Sequence, residues 1–180
     1  MSLPNAPSIP LSESHPAYPA LILAGFRYCL GRMTHVSSSC ASILIETWDK
    51  LPADIQATIA SEISLALAGN GAGMSSDVEG WAAVLSRSAG TEPSIVRKYS
   101  GHIGVPCGNW QTEVLVWAAR RGITADEDEA LDVAANLKSV LLDAPEKIRL
   151  DLSREIVRDL RMVRGAGAGA AWHDLLGTTR

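Results

Sequence analysis

Apolar residues recur every three or four positions along most of the chain, which is the spacing of a helix that buries one face. The two most regular stripes are Ile55, Ile59, Ile63 and Leu67, and Ile148, Leu152, Ile156 and Leu160. No segment combines strict apolar–polar alternation with an enrichment in β-branched residues, so a sheet is not expected. The pattern predicts an all-α protein.

Helix boundaries follow from these stripes and from the residues that start and stop helices. Pro19, Pro52 and Pro145 suit a first helical turn, and Thr124 with Glu127 fits a capping box. The predicted helices are residues 19–33, 37–49, 53–68, 77–87, 93–100, 109–121, 126–142, 146–163 and 170–177.

The two stripes belong to segments that repeat along the chain. Pro52 and Pro145 open them 93 positions apart (145 − 52), and at the same spacing Glu62 matches Glu155. Each segment then enters a glycine-rich stretch and resumes at a tryptophan. Such self-similarity is the signature of an internal duplication. We therefore predict two similar helical units, residues 19–90 and 91–180, packed into one globule.

A different composition marks the first 18 residues, which are rich in proline and serine and have no hydrophobic period. Proline breaks helices, and the segment offers no apolar face to a core. Residues 1–18 are therefore predicted to form a flexible arm.

Composition narrows the class of protein. Of 180 residues, 47% are hydrophobic and 20% are charged, which is typical of a globular chain. The net charge of −4 does not favour a polyanion-binding surface. No apolar run approaches the roughly 20 residues of a membrane span. Three cysteines without a signal peptide indicate a reducing compartment, so a cytoplasmic protein without membrane contact is expected.

Three segments of the first unit carry a distinctive motif: Phe26-Arg-Tyr-Cys-Leu-Gly-Arg-Met-Thr34, Trp48-Asp-Lys-Leu-Pro52 and Gly73-Met-Ser-Ser-Asp-Val-Glu-Gly-Trp81. Together they resemble a family of small helical proteins found in bacteriophages and prophages. The resemblance covers residues 20–88. It implies an accessory protein of a phage or mobile element, acting in the cytoplasm of its bacterial host, and it assigns no catalytic residue.

The motif supplies the first candidate binding surface. On a helix that continues through residue 33, Tyr28, Arg32 and His35 share one side. This strip of aromatic and basic groups either pairs with acids of the next helix or binds a partner.

Each half also offers an arginine–glutamate pair between its first and third helices. Glu62 and Glu155 each precede an isoleucine of an apolar stripe and so border the core. Long arginine side chains reach such positions with their charged ends paired or hydrated. We expect Arg32 to pair with Glu62, and Arg120, taken as its match 88 positions later (120 − 32), to pair with Glu155.

Arg154, Arg158 and Arg161 form the second candidate surface, on one face of the helix predicted at residues 146–163. Acidic residues alternate with them, which is typical of a solvated face with salt bridges. The same face, with the segment around Arg97, is the candidate contact if the protein binds DNA or RNA. The six side chains of the two surfaces are the predicted partner-binding residues.

No pattern in the sequence predicts a catalytic, metal or cofactor site. The possible soft-metal ligands lack the C-x-x-C knuckle that structural zinc sites use; they are Cys29, His35, Cys40, His102 and Cys107. There is no G-x-S-x-G elbow, and the glycine-rich stretches lack the lysine of a phosphate loop. We expect a protein that is not an enzyme and binds no cofactor.

The expected function is binding of a host protein or protein complex, most concretely inhibition of a bacterial defence system such as a CRISPR effector. An acidic inhibitor can compete with nucleic acid for a basic groove. Two alternatives stay open. One is a regulator that binds DNA or RNA through the basic face of helix 146–163, and the other is a structural oligomer.

Overall fold

The computed structural model describes residues 15–32, 34–69, 78–90, 110–163 and 168–177. These residues form eight α-helices and one short 3₁₀ helix, and they contain no strand. The helices are α1 (Tyr18–Cys29), α2 (Thr34–Thr47), α3 (Ala53–Ala68), α4 (Val78–Ser88), α5 (Trp110–Thr124), α6 (Glu127–Asp143), α7 (Glu146–Met162) and α8 (Gly169–Gly177). The 3₁₀ helix, Trp48–Lys50, follows α2 directly. The predicted all-α class is confirmed.

Most helix boundaries lie close to where the sequence places them. Helix α3 is found as predicted, and α7 ends one residue early. Pro52 and Pro145 precede these two helices with the same backbone angles, φ −56° and ψ 147°. Pro19 lies in the first turn of α1, where its missing N–H costs no helical hydrogen bond. The predicted helix 93–100 falls outside the described residues.

Helix α6 begins differently from the predicted capping box. Thr124 is the last residue of α5, and its hydroxyl donates to the backbone carbonyl of Arg120. Asp126 caps α6 instead, since its carboxylate accepts the backbone N–H of Glu129 at 3.0 Å. A carboxylate at this end of a helix also interacts favourably with the helix dipole.

The first predicted helix is too long. Helix α1 stops at Cys29, four residues short of the prediction, because Gly31 has φ +85°. That left-handed conformation does not occur inside a right-handed helix and suits glycine. Tyr28 therefore lies in α1, Arg32 in the turn and His35 in α2, so the prediction that they share one helix face is wrong.

The chain divides into two compact units, which are described separately. The central unit comprises residues 26–110, and the C-terminal unit comprises residues 1–25 together with residues 111–180. The division falls within α1, after Gly25.

The predicted domain boundaries lie beside residues that are not described. The predicted arm, residues 1–18, overlaps the described chain only at its end, where Ala17 and Tyr18 are buried. The predicted boundary between residues 90 and 91 falls at the edge of an undescribed range. The arm and the two predicted units therefore stay predictions.

Helix α4 holds the central unit together, since it packs against both α2 and α3. Trp81 on α4 is fully buried and meets the ring of Phe26 edge to face, with 5.6 Å between the ring centroids. Such a pair adds stability beyond the burial of the two rings. Ile59 and Ile63 of α3 are fully buried as well.

The C-terminal unit contains a close approach of three helices. Helix α6 packs against α8. A Cβ atom added at Gly122 of α5 would lie 2.8 Å from Val133 Cγ1 on α6 and 2.9 Å from Trp172 Cζ2 on α8. The absence of a side chain at Gly122 therefore lets α5 meet both helices.

The first half of the fold (α1–α4) matches the second half (α5–α8) at the predicted spacing of 93 residues. Helices α6 and α7 begin 93 residues after α2 and α3. Ile59 and Ile63 match Leu152 and Ile156 at this spacing, and all four are buried. These matches support an internal duplication, which stays a prediction.

Candidate functional site

A bidentate ion pair joins α1 to α3 in the central unit. Arg27 donates from Nε and Nη2 to Oε1 of Glu62, at 2.9 and 2.6 Å, and Nε also lies 3.2 Å from Oε2. Both side chains are about one-third exposed. The predicted partner of Glu62 was Arg32, so that prediction is wrong: Arg32 lies beyond the end of α1.

The matching pair in the C-terminal unit joins α5 to α7. Arg120 Nη2 lies 3.3 Å from Glu155 Oε2, which confirms the predicted pair, and Arg120 Nε donates to Asp159 Oδ2 at 2.9 Å. Arg120 follows Arg27 by 93 positions, as Glu155 follows Glu62. Applying the spacing of 93 to Arg120, in place of 88, identifies Arg27 from the sequence alone.

The structure brings two of the three residues of the first candidate surface together. The guanidinium of Arg32 lies over the ring of Tyr28, 4.4 Å from its centroid, and Nε donates to the Tyr28 carbonyl at 3.2 Å. A stacked cation of this kind is stabilised by the ring quadrupole. His35 is exposed in the first turn of α2. Both of these contacts of Arg32 are made to Tyr28, at the end of α1.

The second candidate surface is the outer face of α7, and there the three predicted arginines line one groove. The groove has a volume of about 470 Å³. Its apolar lining comes from Leu150, Val157 and Met162, and its charged edge consists of Arg154, Arg158 and Arg161. Met162 is 82% exposed and Leu150 is 40% exposed. We call this surface the α7 groove.

Ion pairs direct the acidic side chains of α7 away from Arg161. Glu155 and Asp159 bind Arg120 on α5 and also contact Arg158. Arg154 reaches Asp151 at 3.4 Å, in an exposed pair. Arg161 has no ion-pair partner within the described part of the chain. Among the described residues, Arg161 therefore supplies the unpaired positive charge of the groove edge, where Arg154 and Arg158 are paired with acids of the same helix.

The apolar members of the groove were missed at the sequence level. The predicted stripe consists of Ile148, Leu152, Ile156 and Leu160, of which Leu152 and Ile156 are fully buried. Leu150, Val157 and Met162 lie off that stripe, on the same side as the arginines. A helix with apolar residues on two faces was the signal that would have identified them.

The described residues also show where metal-ligating, thiol and acidic groups lie. In the described segments, no group of three or more histidine, cysteine, aspartate or glutamate side chains is placed to hold a metal ion. Cys29 and Cys40 are buried free thiols. Burial raises the pKa of the Glu113 carboxyl on α5. Among the described helices, none is long and apolar enough to cross a membrane.

Comparison with known proteins gives no match to this chain among family models, curated proteins or solved structures. The resemblance of residues 20–88 to phage and prophage proteins therefore stays a prediction. The candidate site is an apolar groove edged by arginines.

Proposed function

We propose that this protein is a non-enzymatic accessory protein of a phage or prophage, and that it acts by binding a host protein complex through the α7 groove. The observation that carries the proposal is the exposure of large apolar side chains beside three arginines. Removal of apolar side chains from water on binding favours association. Arginine is among the residues most enriched at protein interfaces.

The groove favours a protein over a nucleic acid. Phosphate groups gain from positive charge and gain little from an apolar surface such as that around Met162. Asp151, Glu155 and Asp159 on the same helix offset the arginines, and the whole chain carries a net charge of −4. A protein surface with apolar side chains and carboxylates fits both components of the groove.

The resemblance to phage proteins supplies the biological setting for this binding. Its most concrete form is inhibition of a bacterial defence complex, such as a CRISPR effector. Occupation of one surface of such a complex is sufficient for inhibition, so a small helical protein needs no chemistry of its own. The Tyr28–Arg32 turn and His35 are candidate secondary contacts.

Affinity capture from a host lysate tests the proposal. The full-length protein is immobilised, and the bound proteins are identified by mass spectrometry. We expect one host complex to be captured by the native protein and lost from the double variant Arg161→Glu with Met162→Ser. The matched control is Leu65→Ser on α3, where a 70% exposed leucine occupies the equivalent helix. Capture that is the same for all three proteins would contradict the proposal.

Binding to nucleic acid is the alternative outcome. If the protein co-purifies with DNA or RNA, and if binding weakens steeply with added salt, the regulator hypothesis replaces the present one. The variant Arg161→Glu distinguishes the two further: it would reduce the salt dependence of nucleic-acid binding by about one counterion.

A further inference from the structure

A second exposed surface lies on α6, in the same C-terminal unit as the α7 groove. It contains two exposed leucines, Leu131 (46%) and Leu142 (60%), with small residues between them. Carboxylates flank the leucines along the helix. The members of this surface, which we call the α6 stripe, are Asp128, Leu131, Asp132, Ala135, Ser139, Leu142 and Asp143.

Helical spacing puts these seven residues on one face. Steps of three, four and seven positions return to the same side of a helix, and every member of the α6 stripe lies three or four positions from another member. At a rise of 1.5 Å per residue, the 15 steps from Asp128 to Asp143 span about 22 Å, and the 12 steps from Leu150 to Met162 in the α7 groove span about 18 Å. The two surfaces therefore match in length.

Their charges are opposite. The carboxylates of Asp128, Asp132 and Asp143 have no ion-pair partner within the described ranges, and neither does the guanidinium of Arg161 in the α7 groove. The stripe offers leucines beside acids, whereas the groove offers an apolar lining beside arginines. This is the combination of apolar and charge complementarity that protein interfaces use.

We propose that the α7 groove is occupied by the α6 stripe of a second copy of this chain. The leucines of the stripe enter the groove, and its carboxylates meet the arginines at the edge. Every copy carries both surfaces, and we infer a two-fold arrangement, in which the contact forms twice and closes as a dimer. The association does not depend on a host partner. A host partner of the α7 groove would compete with it by presenting the same apolar and acidic chemistry.

Complementary charge reversals test this interface. One variant reverses the groove, Arg154→Glu with Arg161→Glu, and leaves Arg158 and its contacts to Glu155 and Asp159 intact. The other reverses the stripe, Asp132→Lys with Asp143→Lys, outside the first turn of α6. Each full-length variant is measured alone and in an equimolar mixture by sedimentation equilibrium, and its folding is checked by circular dichroism.

The expected mass for the native protein at high concentration is twice the 19.1 kDa of one chain. Each variant alone places like charges across the contact, and its dissociation constant should rise by roughly 100-fold or more. In the mixture, the reversed groove meets the reversed stripe and the native groove meets the native stripe, so hetero-association should return. Added salt should weaken all of these complexes.

The matched control is Glu46→Lys with Asp54→Lys, two exposed positions of the central unit that change the net charge by the same amount as the stripe variant. This control should associate like the native protein. A native protein that stays monomeric at every concentration overturns the inference. So do folded variants that associate normally alone, or variants that fail to associate when mixed. Capture from a host lysate is a separate measurement: a protein that self-associates but captures no host complex fails only the proposed function, and one that captures a complex but stays monomeric fails only this inference.

Discussion

Helix α3 and helix α7 are 93 positions apart and are built alike on the side that faces the core. Each begins after a proline with the same backbone angles, and each buries two aliphatic side chains completely. Each also carries a glutamate that forms an ion pair with an arginine on the first helix of its own half. These pairs are Glu62 with Arg27 and Glu155 with Arg120.

Their outer faces differ in residue type at each of the four equivalent positions compared below. Where α7 carries Leu150, Arg154, Arg158 and Arg161, the positions 93 residues earlier on α3 are Ala57, Ser61, Leu65 and Ala68. The inner faces are constrained by the same packing, and the outer faces are free of that constraint. The binding surface that we propose lies on α7, where the outer face differs from that of α3.

The largest expected loss of stability comes from substitutions that test whether the inner faces of α3 and α7 are equivalent. Ile63→Ala and Ile156→Ala each remove a fully buried side chain, and each should lower the free energy of unfolding by about 2–5 kcal/mol. The control Leu65→Ala, on an exposed position of α3, should change it by less than about 0.5 kcal/mol. Urea unfolding measures all three. A cost below about 1 kcal/mol at only one isoleucine would show that the two inner faces are not equivalent.

A smaller loss of stability is expected from Gly122→Ala, at the position where α5 closely approaches α6 and α8. The new methyl group would lie under 3 Å from Val133 and Trp172, and overpacking of this kind costs about 1–3 kcal/mol. Gly169→Ala is the control, because no atom lies within 4 Å of its added Cβ. Thermal unfolding should show a lower midpoint for Gly122→Ala alone. An unchanged midpoint would mean that α5 is not held this closely.

The two arginine–glutamate pairs should differ in coupling energy. Double-mutant cycles to alanine should give about 0.5–1 kcal/mol for Arg27 with Glu62, which is bidentate and about one-third exposed. Arg120 with Glu155 should give less, because Asp159 retains the arginine when Glu155 is removed. The cycle of Arg32 with Glu62 serves as the control and should be additive. A coupling energy between Arg32 and Glu62 would support the pair that the sequence predicts and contradict the structure.

The smallest expected change in stability concerns Glu113. The residue 93 positions earlier, in the first half, is Ala20. Burial raises the pKa of the Glu113 carboxyl, so the folded state holds the proton more tightly than the unfolded state does. Stability is therefore lost as the pH rises through the raised pKa. Glu113→Gln should unfold at a higher urea concentration than the native protein at neutral pH. The two should coincide at a pH low enough to protonate the native carboxyl in both states.

The sequence predicted the helices well where several local signals agreed. A proline and an apolar stripe together located the starts of α3 and α7. The end of α1 depended on the backbone angle of Gly31, and glycine is compatible with both continuation and termination of a helix. The partner of Glu62 was missed because Arg32 was aligned with Arg120 at the wrong spacing.

The candidate site was predicted only in its charged part. Arg154, Arg158 and Arg161 were identified because charges at helical spacing are visible in a sequence. Met162 and Leu150 were not, since an apolar residue in a helix is normally assigned to the core. Which apolar face remains exposed depends on where the neighbouring helices pack, and that is a property of the tertiary structure.

Exchange of the outer faces tests the central claim most directly, namely that α3 and α7 share an inner face and that α7, unlike α3, carries a binding surface on its outer face. The variant Leu150→Ala, Arg154→Ser, Arg158→Leu and Arg161→Ala gives α7 the outer residues of α3. We expect cooperative unfolding like that of the native protein, together with loss of both self-association in sedimentation equilibrium and capture of a host complex. A folded variant that retains both kinds of binding would contradict the account.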